Sequence, residues 1–200
     1  MDGMRVAARN DEQAYPALLK FTTQSSFQKD PQMTVSMYAC SVPVLQKGLG
    51  NLKTLLQKGE AYAVAKKVDA PVLLNARLAL DMFTLTRQVQ IATDTAKGAC
   101  ARLSGQEIPK YEDNEVTFAD LYARIDKTLA FISSIKASDI DGQEERDISI
   151  APGGKELKFK GQPYLLLWVL PNFYFHVMAA YAILRHNGVD VGKMDYLGTV

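Results

Sequence analysis

Asn172-Phe-Tyr-Phe-His176-Val-Met-Ala-Ala-Tyr-Ala-Ile-Leu-Arg185-His-Asn-Gly188 is the stretch that decides the fold. It is apolar almost throughout, yet it carries an amide and an imidazole four residues apart. Positions i and i+4 share one face of a helix, so Asn172 and His176 look inward together from a hydrophobic segment. The segment reaches back to Gln162-Pro163, where a proline at an early position opens the helix. Pro171 is expected to kink this helix or split it in two, and Gly188 to end it. From Tyr164 to Leu184 the run is long enough to cross a bilayer. Pro171, Asn172 and His176 near its middle point instead to a helix buried among its neighbours.

Three further seams precede it. A first helix is expected from Val35 to Lys67, with Tyr38, Val42, Leu45, Leu49, Leu52 and Leu56 spaced alternately by four and three. Pro43 is expected to bend it, and Gly48, Gly50 and Gly59 to weaken it or admit a close neighbour. Asp69-Ala-Pro71 breaks the pattern, and Asn75, Arg77 and Asp81 fall in the connection that follows. Asp81 suits the N-cap or first turn of a second helix, Met82 to Leu103. That helix has Leu85, Val89, Ala92, Ala96 and Ala99 on its seam, and Gly105 and Pro109 stop it. Thr117, with Asp120 three residues later, nearly makes a capping box for a third helix to Ile135. The period then changes: Asp147–Ala151 and Lys155–Lys160 alternate polar and apolar residues around Pro152-Gly-Gly, the pattern of a β-hairpin. Four seamed helices with one hairpin before the last make an all-α chain, a four-helix bundle.

Composition narrows the partners. The chain has 200 residues, 48% hydrophobic and 22% charged, with a net charge of +1. No Lys/Arg cluster reaches the density of a nucleic-acid footprint, so no nucleic-acid partner and no membrane surface is expected. Cys40 and Cys100 fall among small apolar neighbours and read as buried reduced thiols. Two Cys and two His exclude a zinc ribbon or a disulfide framework. Residues 1–32 contain Asp2, Asp11, Glu12 and Asp30 and no apolar core, so they are not expected to be a secretory signal. They read as a loosely ordered extension with a short helix over Tyr15 to Phe21. The bundle domain is expected over residues 33–200, and the protein in the cytoplasm.

Few residues invite chemistry. His176, one turn after Asn172, is either a satisfied core histidine or a metal ligand or general base in the bundle core. Gln88 sits one step off its helix seam and is either half-buried and structural or a polar wall shared with the last helix. Arg77 and Asp81, four apart, either form an ion pair or leave Arg77 to face a carboxylate ligand at the cleft mouth. Tyr38, Tyr174 and Tyr181 read as core aromatics, and His186 as a helix C-terminal cation. There is no nucleophile elbow, P-loop, dinucleotide fingerprint or HExxH.

Several motifs in combination resemble a known group. They are Met33-Thr-Val-Ser-Met-Tyr38, Leu78-x-x-Asp81-Met82-Phe83, Gln88-Val89, Pro109-x-x-Glu112-Asp113-Asn114-Glu115, and Pro171-Asn172-Phe173-x-x-His176 with Leu184-Arg185-x-x-Gly188. They are similar to a bacterial family of uncharacterised proteins within the DinB/YfiT-like metalloenzyme superfamily, over about Met33 to Gly198. The resemblance implies an up-down-down-up four-helix bundle, often a homodimer. It also implies a metal site of three histidines, one on the second helix and a His-xxx-His pair on the fourth. His176 stands nine residues before Arg185 and twelve before Gly188, which matches the second member of that pair. The first member then falls at Asn172 and the helix-two ligand at Gln88. Neutral amides are poor ligands for zinc or nickel, so the expectation is no resident cofactor, with a divalent metal as the alternative.

Three functions follow as expectations. The first is a small polar pocket of Gln88, Asn172 and His176, with Asp81, Arg77 and Tyr38 nearby, that binds a small molecule. The second is a metal-dependent thiol transferase or hydrolase of the superfamily kind with His176 as its catalytic candidate. The third is a dimeric structural or interaction protein.

Overall fold

Pro43 decides where the first helix begins. The computed structural model describes residues 35–199. The expected extension over residues 1–32, with its short helix over Tyr15 to Phe21, lies outside the described residues. Helix α1 spans Val42–Lys66 with Pro43 in its first turn. A proline there loses no hydrogen bond and its φ is preset for the helix, so Pro43 starts α1 and does not bend it. The residues before it form turns, and Tyr38 lies there half-buried rather than on a helical seam. Val42, Leu45, Leu49, Leu52 and Leu56 are fully buried, as their spacing predicts.

A short α2 (Ala70–Leu74) leads into an irregular stretch, and α3 spans Leu85–Ser104. It starts three residues later than expected. The Thr84 hydroxyl accepts the Arg87 N–H at 3.3 Å and is the N-cap, a role the sequence had pointed to Asp81 for. Gly105 closes α3 in the left-handed region at φ 75°. Helix α4 spans Phe118–Ser133, opened by the Thr117–Asp120 capping box. After α5 (Ala137–Ile140), strands β1 (Asp147–Ile150) and β2 (Leu157–Lys160) pair antiparallel with Ile148 opposite Phe159.

The last long helix runs unbroken from Gly161 to His186. It opens as α6 (Gly161–Pro163), passes through a π-helical segment, Tyr164–Val169, and continues as α7 (Leu170–His186). Pro171 offers no N–H to the carbonyl one turn back. The chain answers by widening into π geometry ahead of the proline, and the helix is not split in two. Gly188 follows at φ 90°, and α8 spans Lys193–Leu197.

Side-chain pairs give the helix directions. Gln46–Ser133 and Glu60–Tyr122 run α1 against α4. Gln90–Glu115, just ahead of α4, and Thr93–Arg124, within it, set α3 and α4 side by side in the same direction. Gln88–His176 and Arg102–Tyr164 run α3 against the last helix. Gly48 lies under Phe173 and Gly59 under Leu184, so α1 and α7 are parallel. The order is up-down-down-up. A Cβ on Gly48 would enter the Phe173 ring, and one on Gly59 would lie 2.8 Å from Leu184, so α1 and α7 approach closely at two glycines. Parallel α3 and α4 oblige residues 105–117 to cross back along the bundle.

The last helix is less central than its composition suggests. It is the one helix among the described residues long and apolar enough to cross a membrane, and 39% of its most apolar window is buried. A four-helix bundle buries one side of each member. Leu167, Phe175 and Met178 therefore remain exposed, as does part of Tyr174, which the sequence had placed in the core.

Candidate functional site

Helix α3 and the last helix meet along three polar rungs. Seven-residue steps keep Gln88, Thr95 and Arg102 on one face of α3. Their partners on the antiparallel helix are His176, Asn172 and Tyr164.

The first rung is buried. His176 Nδ1 and Gln88 Oε1 are 2.7 Å apart. The Gln88 amide donates from Nε2 to the Phe83 carbonyl at 3.2 Å, which turns its oxygen toward the imidazole. That network assigns the ring hydrogen to Nδ1. Burial, helped by the charge of Arg87, lowers the His176 pKa to about 4, so the ring is neutral at neutral pH. Its Nε2 takes no hydrogen-bond partner among the described residues.

The second rung carries Asn172 away from His176. Its Nδ2 donates to Thr95 Oγ1 at 3.2 Å. Asn172 and Thr95 line a cavity of about 300 Å³ between α3, the π segment and the β-hairpin. The third rung forms the opposite wall, where Arg102 Nη1 donates to the Tyr164 hydroxyl at 3.2 Å. Trp168 and Ile150–Pro152 supply apolar surface. Neither Gln88 nor His176 lines this cavity.

The other expected site residues stand apart. Arg77 is exposed and donates to the Met82 carbonyl, and no ion pair with Asp81 forms. Four-residue spacing brings side chains together only on a helix, and the chain from Arg77 to Asp81 is not helical. Asp81 is exposed in that connection. Tyr38 is held elsewhere, its backbone N–H bonded to Asp141 Oδ1 at 2.8 Å. Cys100 is buried and its thiol is pushed up to about 12, while Cys40 is half-buried.

One cluster escaped the sequence. The Arg124 side chain, 2% exposed, donates from Nε to Thr93 and pairs with Asp94 at 2.7 Å, Asp113 at 3.0 Å and Glu115 at 2.7 Å. Lys97 joins at Asp94, Arg87 at Asp113 and Gln90 at Glu115. The Glu112–Glu115 run was visible as a motif, but nothing in its spacing gave its partners on α3 and α4.

The metal site implied by the superfamily can be tested on these donors. Gln88 Oε1 is spent on His176 and the Asn172 amide nitrogen on Thr95. That leaves one imidazole nitrogen, and among the described residues no three His, Cys, Asp or Glu side chains gather around a point. The residues do not fit zinc or nickel, which need several imidazole, thiolate or carboxylate donors.

Comparison with known proteins agrees with the fold. The profile described as Domain of unknown function (DUF1993) matches residues 37–197. The crystal structure of a DinB family member protein from Shewanella denitrificans is 46% identical to this chain. The match covers 82% of this chain and 92% of that one, with a TM-score of 0.74. No curated protein matches the chain.

Proposed function

This chain belongs to the DUF1993 family, on a DinB-like bundle, and from that premise we propose that it binds a small molecule without a metal, against the face shared by α3 and the last helix. The observation that supports this most is the fate of the three positions where the superfamily keeps histidines. Two of them satisfy each other as a neutral amide–imidazole pair, and the third, Asn172, opens onto the 300 Å³ cavity. Such a volume, in which polar side chains converge beside the apolar surface of Trp168 and Ile150–Pro152, is of the size a small-molecule site takes. Gln88 and His176 then hold the two helices in register, and Asn172 is the one member of the expected triad that touches the ligand. The two free cysteines support a cytoplasmic setting.

The test is thermal stability of the purified protein with excess chelator, screened against a panel of small polar and aromatic molecules. Saturable stabilisation that a chelator leaves intact supports the reading. Stoichiometric metal that survives desalting and is lost in His176→Ala overturns it in favour of the metalloenzyme alternative.

A second reading has its own observation. Leu167, Pro171, Phe175 and Met178 lie at spacings of four and three along one exposed side of the last helix. An apolar stripe of that kind suits a partner surface, and a homodimer would cover it. Light scattering at micromolar concentration, with Phe175→Glu as the disrupting variant, tests it.

A further inference from the structure

Arg102 is the one basic side chain in the wall of the 300 Å³ cavity, and no carboxylate pairs with it among the described residues. The acid in that wall, Asp94, is already bound by Arg124 at 2.7 Å and Lys97 at 2.6 Å. The charges behind the cavity therefore balance among themselves, and the Arg102 guanidinium is left over. Among the described residues its one hydrogen bond is the one it donates to the Tyr164 hydroxyl oxygen. That phenol keeps its own proton, since burial raises its pKa, and the O–H remains to donate to a third group.

Gly98 gives a second, independent sign. It is a buried glycine in the interior of α3, where glycine costs about 1 kcal/mol against alanine. A Cβ there would meet nothing but Arg102, with Nη1 2.6 Å away. The missing side chain is the seat in which the guanidinium folds back toward the cavity.

We infer that this cavity is a binding site for a small monocarboxylate with a flat apolar or aromatic body. The inference rests on the small-molecule reading above and names the ligand class. Arg102 presents a planar fork that matches a carboxylate in two parallel bonds. Tyr164 supplies one more donor. Trp168, tilted against Phe159 with centroids 5.8 Å apart, offers an aromatic wall fixed by the hairpin. A single uncompensated cation beside the Asp94 carboxylate favours a monoanion over a phosphate dianion.

Trp168 is the only tryptophan of the chain, so its fluorescence reports on this cavity alone. The experiment titrates the full-length protein with benzoate and, separately, with benzamide, its neutral isostere. Benzoate is expected to give a saturable change and to bind about tenfold tighter than benzamide. Arg102→Met should remove that preference. Gly98→Ala should weaken benzoate binding while the melting temperature holds or rises, which separates the seat of Arg102 from the integrity of the fold. Equal binding of benzoate and benzamide, or benzoate binding unchanged in Arg102→Met, overturns the carboxylate site and leaves the small-molecule reading standing. No saturable change with either probe overturns the carboxylate site as well, and failure of the chelator-resistant screen is what removes the broader reading.

Discussion

Helix α3 is held on two sides by different means. Toward α4 and the 105–117 crossover it carries a dense ionic cluster in which Arg124 answers Asp94, Asp113 and Glu115 and every charge has a partner. Toward the last helix it carries three neutral or half-answered rungs beside a cavity. A charge enclosed and fully paired is expensive to disturb, and that side fixes the parallel α3–α4 arrangement. A cation in a cavity wall with nothing opposite it adds little to the fold and is free to meet a ligand. The contrast separates the structural side of α3 from the side on which chemistry can act.

Four experiments sharpen or break that contrast, in falling order of effect. Arg124→Met should cost about 3–5 kcal/mol, because it leaves the buried Glu115 carboxylate without a cation. Urea denaturation measures it, and a loss below about 1 kcal/mol would mean the cluster is an ornament of the surface. The second concerns pH. The folded pKa of His176, about 4, lies below its ordinary value of 6.5. The unfolded chain then binds a proton that the native chain refuses, so stability is full above pH 6.5 and declines as pH falls toward 4. The decline attributable to this group should be about 2 kcal/mol after allowance for partial solvent access. The difference between wild type and His176→Phe, followed by denaturation from pH 7 downward, isolates it. Identical slopes would show that the ring is not held neutral. Third, Gln88→Leu should cost about 1–2 kcal/mol by stranding the His176 Nδ1–H, and much of that should return in the Gln88→Leu/His176→Phe double variant. Additive losses would deny the pair. Smallest, Asn172→Ala should change stability by about 0.5–1 kcal/mol, since its bond to Thr95 is only partly buried.

The helices were legible because burial imposes the period. Leu49, Leu52 and Leu56, or Leu85, Val89 and Ala92, declare their face by spacing alone. Helix ends were less so. Thr84 and Asp81 are both reasonable caps, and only the path of the chain before Leu85 selects Thr84. Pro43 likewise reads as a bend or a start depending on whether the residues before it can pack. The Gln88–His176 contact was reachable from the resemblance, which set both at one site. The Arg124 cluster was not, because two of its three acids, Asp113 and Glu115, come from a crossover segment that has no period. The cavity was equally hidden, since its far wall is a hairpin placed by tertiary packing. Arg77 and Asp81 misled for a simple reason: their spacing has meaning only on a helix that the chain does not form there.

The π segment before Pro171 also sets the phase of the whole face. Tyr164, Trp168, Asn172 and His176 recur every four residues. On an ordinary helix each such step overshoots one turn by about 40°, so the row would wind through about 120° and lose its neighbour. A π turn takes up roughly one extra residue without advancing the rotation. Most of the drift is cancelled, and the ends of the row still reach Arg102 and Gln88 on the same side of α3. An ordinary helical turn over the same residues of Tyr164–Val169 would thus swing the Tyr164 phenol away from the Arg102 guanidinium while leaving His176 where it is, whereas removal of one residue along with the π turn would keep both in phase.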